Sequence, residues 1–309
     1  ALRDAKDDTK KPLAVSIDEA IAALRARDVP AEDIARWLAD ARIMPVFTAH
    51  PTEARRRTTL QKLRRMANGI ERLHAGALLP DEETSVMRGL HEDIVGLWQS
   101  DEVRVVRPTV VDEVKNGLYY FEEGLFDLVP QIYRDLERAL TKHYPGVSIA
   151  VPPLLRFGSW MGGDRDGNPY VTPDVTVETV RRLRMAAIKR LVTRIEGLSE
   201  RLSQSTRQVG VTSALVASLE ADAALFPETA RMLTKRNPFE LYRQKCTYVR
   251  EKLLHSLEHA ESHVPSFTRE PKAPFPRGEG YVDAAGLLAE LDIIADSLRT
   301  HGAEDFVAN

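Results

Sequence analysis

Apolar residues recur three and four positions apart through most of this 309-residue sequence, the spacing that places them on one face of an α-helix. Two short runs break the pattern, residues 43–49 (IMPVFTA) and 154–160 (LLRFGSW), and their β-branched and aromatic residues favour strands. The runs should pair in parallel, because the helical sequence between them forms a long crossover. Two strands alone cannot satisfy the edges of a sheet. We therefore expect a mostly α-helical protein with a few parallel strands of a larger sheet or barrel.

Composition limits the classes of protein. The sequence is 43% hydrophobic, enough for a sizeable core, so a mainly disordered chain is excluded. The net charge of −3 gives no general electrostatic reason to bind nucleic acid or an anionic membrane. Cys246 is the single cysteine, and the sequence contains neither a signal-peptide stretch nor a run of about 18 apolar residues. We expect a soluble cytoplasmic protein.

Capping and breaking residues predict where the helices begin and end. Ser16 followed by Glu19 forms a capping box, and Pro130 should kink or divide the helix that contains it. Residues 264–280 hold four prolines and two glycines and form a linker-like stretch within one predicted domain, 1–309. Further helices are expected after Pro30 and at 52–76, 80–102, 110–143, 175–208, 213–225, 228–235, 238–262 and 283–300.

The first candidate site follows the first predicted strand, in residues 47–58 (FTAHPTEARRRT). His50 comes directly after the strand, and Arg56 and Arg57 follow in the next predicted helix. Imidazole moves protons near neutral pH, arginine binds phosphate or carboxylate in a bidentate way, and helix N-termini favour anions. The segment therefore predicts a site for a phosphorylated or carboxylated anion. A structural histidine beside a solvated basic helix face is an equally good interpretation of the spacing alone.

The second candidate site follows the second predicted strand, in residues 158–169 (GSWMGGDRDGNP). Glycines allow the backbone to approach a ligand closely, and the segment also carries acidic, basic and amide side chains. An EF-hand calcium loop is excluded, because it would begin at Gly162 and end at Pro173, where acidic ligands are required. The remaining alternative is a turn whose charges pair among themselves.

Two other patterns in the sequence have an ordinary structural interpretation. His255, His259 and His263 are four residues apart, a spacing that can bind zinc, but no cysteine accompanies them and a solvated histidine face is favoured. The arginine run resembles a nucleic-acid-binding helix, but no aromatic residues interleave with it and the chain is net acidic. We therefore expect no nucleic-acid partner.

The two candidate segments together resemble the signatures of phosphoenolpyruvate carboxylases. Residues 48–53 with Arg56 and Arg57, followed by residues 159–169, match these signatures in order and in separation. Residues 101–108 and 111–113, and the predicted helix from Pro238 through Leu254, are similar to the same family. The resemblance extends from about Ile17 onward.

The resemblance implies a fold and a reaction. The fold is a (β/α)₈ TIM-like barrel with many extra helices, of which this chain would hold the first strands. The reaction is the carboxylation of phosphoenolpyruvate by bicarbonate, which gives oxaloacetate and phosphate through carboxyphosphate and an enolate. The cofactor would be Mg²⁺ or Mn²⁺, without biotin. The complete enzyme would be a homotetramer with no membrane partner.

The resemblance also implies a role for each site residue. His50 is the catalytic histidine, which acts on carboxyphosphate and assists its decarboxylation. Arg56 and Arg57 stabilise the anionic site, and Trp160 helps to form the wall of the pocket for CO₂ or bicarbonate. The loop that shapes this pocket contributes the other substrate-binding residues, Gly162, Gly163, Asp164, Arg165, Asp166 and Asn168.

Family members are about three times as long as this chain. The resemblance therefore implies a piece of the enzyme that lacks the C-terminal half of the barrel, contains no metal ligand and is inactive alone. Two other functions stay open on the sequence. One is a small-anion-binding protein descended from the enzyme, and the other is a helical interaction module that kept the motifs by descent.

Overall fold

The computed structural model describes residues 16–48, 56–101, 108–262, 278–303 and 306–307. It divides into two compact units, unit 1 (Ala1–Val175) and unit 2 (Thr176–Asn309). Helices predominate in the described residues, and their two strands are parallel, so the fold class predicted from the sequence is confirmed. The complete barrel stays a prediction, and the linker-like stretch 264–280 lies mostly outside the described residues.

Most of the predicted helices are present with small differences at their ends. The prediction that one helix extends to residue 208 is wrong, because that helix ends at Arg201 and the Ser205 side chain accepts from the amide of Arg207 in a local turn that competes with the helix. The Ser16 side chain accepts a hydrogen bond from the amide of Glu19, and Pro30 directly precedes the second helix, as the sequence indicated. Unit 1 contains α1 (Ile17–Ala26), α2 (Ala31–Asp40), α3 (Arg57–His74), α4 (Pro80–Trp98), α5 (Val110–Tyr120) and α6 (Phe126–His143). After these come α7 (Pro173–Arg201), which begins at the end of unit 1, and α8 (Ser213–Leu225), α9 (Pro227–Arg236), α10 (Leu241–Ser262) and α11 (Ala284–Thr300).

The two strands, β1 (Val46–Phe47) and β2 (Gly158–Ser159), are neighbours in a parallel pair. An isolated parallel bridge between Ile43 and Leu155 lies upstream of them. Parallel pairing confirms the interpretation of residues 52–143 as a crossover rather than a hairpin.

The strands are two residues long, much shorter than the predicted runs of seven. The amide of Gly158 donates to the carbonyl of Pro45 at 3.0 Å, and the amide of Arg156 donates to the carbonyl of Ile43 at 2.9 Å. Residue 45 would also be the next donor of a regular ladder, but proline has no N–H. Pro45 therefore separates the upstream bridge from the two-residue strands.

The predicted helix over 110–143 is divided by a π-helical turn, Phe121–Leu125. Pro130 lies inside α6, four residues after Phe126. A proline ring conflicts with the carbonyl four residues earlier and removes one helical hydrogen bond. The π-helical turn therefore ends directly before Phe126, the residue whose carbonyl Pro130 disturbs. The sequence indicated such a division.

Helices α3 and α4 form an antiparallel hairpin, because their contacts proceed in opposite directions along the two helices. The contacting pairs are Lys62 with Gly96, Arg65 with Asp93 and Gly69 with Leu90. The prediction that α3 begins at Thr52 is wrong. Arg56 is extended (φ −70°, ψ 142°), and the helix begins at Arg57. The apolar stripe that supports α3 begins only at Leu60, which explains the later start.

The core of unit 1 lies where α1 and α2 pack on α6. Its buried members are Ile21, Ala31, Ile34, Ala139, Leu140 and Tyr144. The side chain of Asp18 binds both Lys142 (3.1 Å) and His143 (2.8 Å), which joins α1 to the last turn of α6.

Unit 2 has a larger core, shared by α7, α8, α9, α10 and α11. Its fully buried apolar side chains include those of Leu202, Leu215, Cys246, Val249 and Leu253. Among the described residues of the whole chain, no helix is both long and apolar enough to cross a membrane.

A buried cluster of four charges joins α8, α10 and α11 in unit 2. Lys245 binds Asp222 (2.6 Å) and Glu290 (3.2 Å), and Lys252 binds the same two carboxylates at 2.5 Å each. The hydroxyl of Tyr281 donates to Glu290 at 2.8 Å. Burial alone would raise the pKa of Glu290, but the hydrogen bond from Lys252 and the two lysine charges leave it below its usual value. Two lysines and two carboxylates balance, so this buried network, the charge quartet, carries no net charge.

Candidate anion site at the ends of the parallel strands

The two candidate segments begin side by side. The amide of Trp160, the first residue after β2, donates to the carbonyl of Phe47 in β1 at 2.8 Å. Because the strands are parallel, both chains leave the pair at the same edge, where Thr48 follows β1 and Trp160 follows β2. His50 lies outside the described residues, as do the other residues of 49–55.

A cluster of phenylalanines connects the strand pair to the π-helical turn. The ring of Phe121 lies 5.0 Å from that of Phe47 and 5.2 Å from that of Phe157, measured between centroids. Phe126 extends the cluster, 6.0 Å from Phe121. Tilted and edge-to-face contacts of this kind stabilise packed aromatic rings. The cluster positions the π-helical turn, a feature often found at functional sites, beside the strand pair.

A tight turn follows β2. The amides of Gly163 and Asp164 both donate to the carbonyl of Trp160, at 2.9 and 2.8 Å. Gly162 has a φ of +71°, a conformation that a residue with a side chain adopts only with strain. Trp160 is 58% exposed. The turn thus reverses the chain at the strand end and leaves one large aromatic side chain at the surface.

The rest of the second segment is held by contacts between side chains and backbone. The carboxylate of Asp164 accepts from the amide of Asp166 (3.1 Å), and the side-chain oxygen of Asn168 accepts from the amide of Tyr170 (3.1 Å). Arg165 donates to the carbonyl of Val171 at 3.3 Å. Three of the predicted binding side chains therefore stabilise the loop through bonds to its backbone. Gly163, Asp164, Arg165 and Asp166 are nevertheless exposed to solvent.

The two arginines of the first segment bind carboxylates at the surface. Arg56 lies 3.5 Å from Asp101, and Arg57 lies 3.3 Å from Glu122 in the π-helical turn. The guanidinium of Arg57 also lies over the ring of Tyr119, 5.1 Å from its centroid. The arginine side chains are 40% and 46% exposed, and ion pairs of this kind contribute at most about 1 kcal/mol. Both guanidiniums can therefore exchange a carboxylate for a phosphoryl or carboxyl group of a ligand.

Helix α5 contacts both candidate segments. Met161 packs so closely on Gly117 that an added Cβ there would lie 2.5 Å from its sulfur atom. Gly117 and Tyr119 are two residues apart and point to roughly opposite sides of the helix. The contacts thus attach the second segment and Arg57 to opposite sides of α5. The sequence analysis did not identify Glu122 and Gly117 as residues that support the site. The one available signal was Gly117 itself, an isolated glycine within a helical pattern.

A surface cleft of about 420 Å³ lies elsewhere, in unit 2. Arg243 in this cleft donates to the carbonyl of Ser199 (3.1 Å) and pairs with Glu240, so it caps the end of α7. The lining residues, Ser199, Glu200, Met232, Leu233, Arg236, Asn237, Arg243 and Thr247, include none of the predicted site residues. We therefore do not assign the predicted site to this cleft.

The part of the chain that the structure describes contains no group of three His, Cys, Asp or Glu side chains that could hold a metal ion. Of the three histidines at zinc-like spacing, His255 packs against Phe226, with 5.5 Å between the centroids of the two rings. His263 lies outside the described residues.

Comparison with known proteins identifies the family. A family model for phosphoenolpyruvate carboxylase matches residues 1–309. The chain belongs to the phosphoenolpyruvate carboxylase family. This confirms the resemblance drawn from the two signature segments.

Curated relatives in the phosphoenolpyruvate carboxylase family are much longer than this chain. The phosphoenolpyruvate carboxylase of Roseiflexus castenholzii is 52% identical over 302 residues, which cover 98% of this chain and 31% of that protein. Those of Synechococcus sp. (strain WH7803) and Methylorubrum extorquens are 36% and 38% identical over 285 and 250 residues. These matches cover 89% and 80% of this chain, and 28% and 27% of the two relatives. The chain therefore spans about a third or less of the relatives that it matches, which confirms the expected difference in length.

Proposed function

We propose that this chain supplies part of the active site of a phosphoenolpyruvate carboxylase. The reaction joins phosphoenolpyruvate and bicarbonate to give oxaloacetate and phosphate, through carboxyphosphate and an enolate. The family match over residues 1–309 supports the reaction. The observation that carries the site is the hydrogen bond from the Trp160 amide to the Phe47 carbonyl, because it brings the starts of both signature segments to one edge.

His50 is the proposed general base. It follows β1 by three residues in the sequence. It would remove the carboxyl proton of carboxyphosphate, and the bond between the carboxyl carbon and the bridging oxygen then breaks, so that CO₂ is released and the bridging oxygen leaves with the phosphate. A histidine suits this step because imidazole accepts a proton near neutral pH.

Arg56 and Arg57 are the proposed anion-binding groups. Their carboxylate partners, Asp101 and Glu122, lie at 3.5 and 3.3 Å on an exposed surface and can be displaced. A phosphoryl group accepts two parallel hydrogen bonds from a guanidinium and carries more charge than a single carboxylate.

Trp160 and the loop from Gly162 to Asn168 are proposed to enclose CO₂ beside the enolate. A dry pocket prevents proton transfer from water to the enolate. The exposed indole of Trp160 offers an apolar surface at the strand end, and the positive φ of Gly162 lets the backbone turn beneath it.

The metal and assembly of the complete enzyme belong to the same proposal. Mg²⁺ or Mn²⁺, without biotin, and a cytoplasmic homotetramer are what the family resemblance implies. The residues that the structure describes do not fit a metal site, since no three-residue ligand group occurs among them. We therefore assign no step of the reaction to a metal ligand in this chain.

The test is His50→Asn in the full-length enzyme that contains this chain. We expect oxaloacetate formation to fall by about 100-fold or more, with little change in the KM for phosphoenolpyruvate, because the arginines supply the binding. His74→Asn, at the exposed end of α3, is the matched control and should retain activity. A proportional loss of turnover and substrate affinity in His50→Asn would instead indicate a structural histidine.

A further inference from the structure

Two consecutive glutamates of the π-helical turn bind two arginines of α3. Glu122 pairs with Arg57, and Glu123 pairs with Arg64. The two arginines are seven residues apart, so they lie on the same face of α3, about 10 Å apart along its axis. Two positive and two negative charges meet at this contact. No net charge therefore remains there while both pairs are closed.

The pair between Glu122 and Arg57 is the one that involves the proposed anion site. Nη2 of Arg57 lies 3.3 Å from Oε2 of Glu122, farther than the separation of about 2.8 Å that is usual for a hydrogen bond between charged groups. This contact uses one of the N–H donors of the guanidinium, and both side chains are more than 40% exposed. A long, exposed ion pair with a single hydrogen bond opens at little cost in free energy.

The guanidinium and the turn both keep other supports when this pair opens. The guanidinium of Arg57 lies over the ring of Tyr119, whose face attracts a cation without neutralising its charge. The turn stays attached to α3 through the Arg64 pair and to the strands through the phenylalanine cluster around Phe121. An incoming anion can therefore replace the carboxylate without separating α3 from the turn.

We propose that Glu122 is an internal competitor for Arg57, a carboxylate that the anionic group of the substrate must displace in order to bind. This inference rests on the proposed function, because it concerns the anion site of that reaction. A tethered competitor lowers the affinity for every ligand of Arg57 by one common factor, the inverse of the fraction of open pairs. For an exposed ion pair this factor is about two to six.

The common factor affects which ligands occupy the site. A singly charged carboxylate that binds weakly stays far from saturation when Glu122 competes with it. A phosphoryl group carries more charge and accepts two parallel hydrogen bonds from a guanidinium, so it still displaces Glu122. The competitor thus keeps weaker anions off Arg57, and it takes no part in the chemical steps.

The first test uses Glu122→Gln in the full-length enzyme, which removes the charge and keeps the size of the side chain. The Kd for inorganic phosphate, measured by calorimetry, and the KM for phosphoenolpyruvate should both fall by the same factor of about two to six, with kcat unchanged. Glu123→Gln is the matched control, because it removes the same charge one residue away and should leave both constants within about 1.5-fold. Unchanged or weaker binding in Glu122→Gln, or an equal gain in Glu123→Gln, overturns the proposal.

The second test separates this inference from the proposed function by means of Arg57→Met. If Arg57 binds the anion, this variant weakens phosphate binding by about tenfold or more, and the addition of Glu122→Gln produces no further change. A gain from Glu122→Gln without Arg57 would show long-range repulsion of anions and would contradict a competitor.

The two possible failures give different results. If Arg57→Met leaves phosphate affinity and KM unaltered, both the proposed role of Arg57 and the competitor are wrong. If Arg57→Met weakens binding while Glu122→Gln gives no gain, the anion site stands and the competitor alone is wrong.

Discussion

The two units differ in how completely they bury their large and charged side chains. In unit 2 the side chains of Leu202, Leu215 and Val249 are fully buried, and even the lysine Lys245 has no exposed surface. In unit 1 the large side chains of Trp98 and Trp160 are mostly exposed. Unit 2 thus has the larger buried core, whereas unit 1 presents large aromatic side chains that suit ligands and partners.

The charges differ in the same way. The charge quartet of unit 2 is buried and neutral, so each of its ions depends on the others. In unit 1, Arg56 and Arg57 hold their carboxylates near the surface, where a pair is weak and exchangeable. The same residue types therefore stabilise the fold in one unit and remain available for binding in the other.

The comparison predicts its largest effect for the rate of thiol labelling at Cys246, in the core of unit 2. Burial raises the pKa of the Cys246 thiol from 9.0 to about 12, which lowers its thiolate fraction about a thousandfold at pH 8. A thiol reagent should therefore label the native chain at least about a thousand times more slowly than the denatured chain. Rapid labelling of the native chain would show that unit 2 opens readily and is not the better-packed unit.

Disruption of the charge quartet should have the next largest effect. Lys245→Met leaves Asp222 and Glu290 buried with one lysine, and we expect unit 2 to lose about 3–5 kcal/mol in its free energy of unfolding. Chemical denaturation followed by far-UV circular dichroism measures the loss. The exposed variant Lys235→Met should change the stability by less than about 0.5 kcal/mol.

The quartet can also be neutralised in pairs. Lys245→Met combined with Asp222→Asn leaves one lysine and one carboxylate, so the double variant should be more stable than Lys245→Met alone. Additive losses would show that the four charges act independently, which would weaken the contrast between the two units.

A moderate effect is expected in unit 1, at the contact between α5 and the second signature segment. Gly117→Leu should displace Met161 and destabilise the chain by about 1–3 kcal/mol, measured by thermal unfolding. Met161→Ala in the same chain should restore part of the loss by making room for the new side chain. Gly89→Leu is the helical control, since nothing lies within 4 Å of an added Cβ there. If both glycine variants lose the same amount of stability, the contact with Met161 does not position the loop.

The smallest effect concerns the surface ion pair between α1 and α6. Burial would raise the pKa of Asp18, but hydrogen bonds from His143 and Lys142 hold it below its usual 3.8. A lowered pKa stabilises the fold above pH 4, and this contribution is lost as the pH falls through the lowered value. Asp18→Asn should therefore cost up to about 1 kcal/mol at pH 7 and nearly nothing near pH 2. A loss that is equal at both pH values would contradict an ionic contribution, and Asp40→Asn is the exposed control.

The sequence by itself determined the helices and the direction of the strands. α8 occupies the predicted residues 213–225, and α11 begins one residue after its N-cap, Asp283, whose side chain accepts from two amides of the first turn. Caps, breakers and apolar spacing act over about four residues, so they can be interpreted without the fold. The signature segments and their order likewise identified the family from the chain alone.

Tertiary structure decided which distant groups meet. Nothing local in the sequence connects Arg57 with Glu122, Gly117 with Met161, or Lys245 with Asp222 and Glu290. Even the lengths of β1 and β2 depended on a partner strand, because the missing N–H of Pro45 matters only where a ladder requires a donor. Contacts between residues far apart in the chain depend on packing that local propensities do not encode, and in this protein such contacts connect the candidate site to its supporting helices.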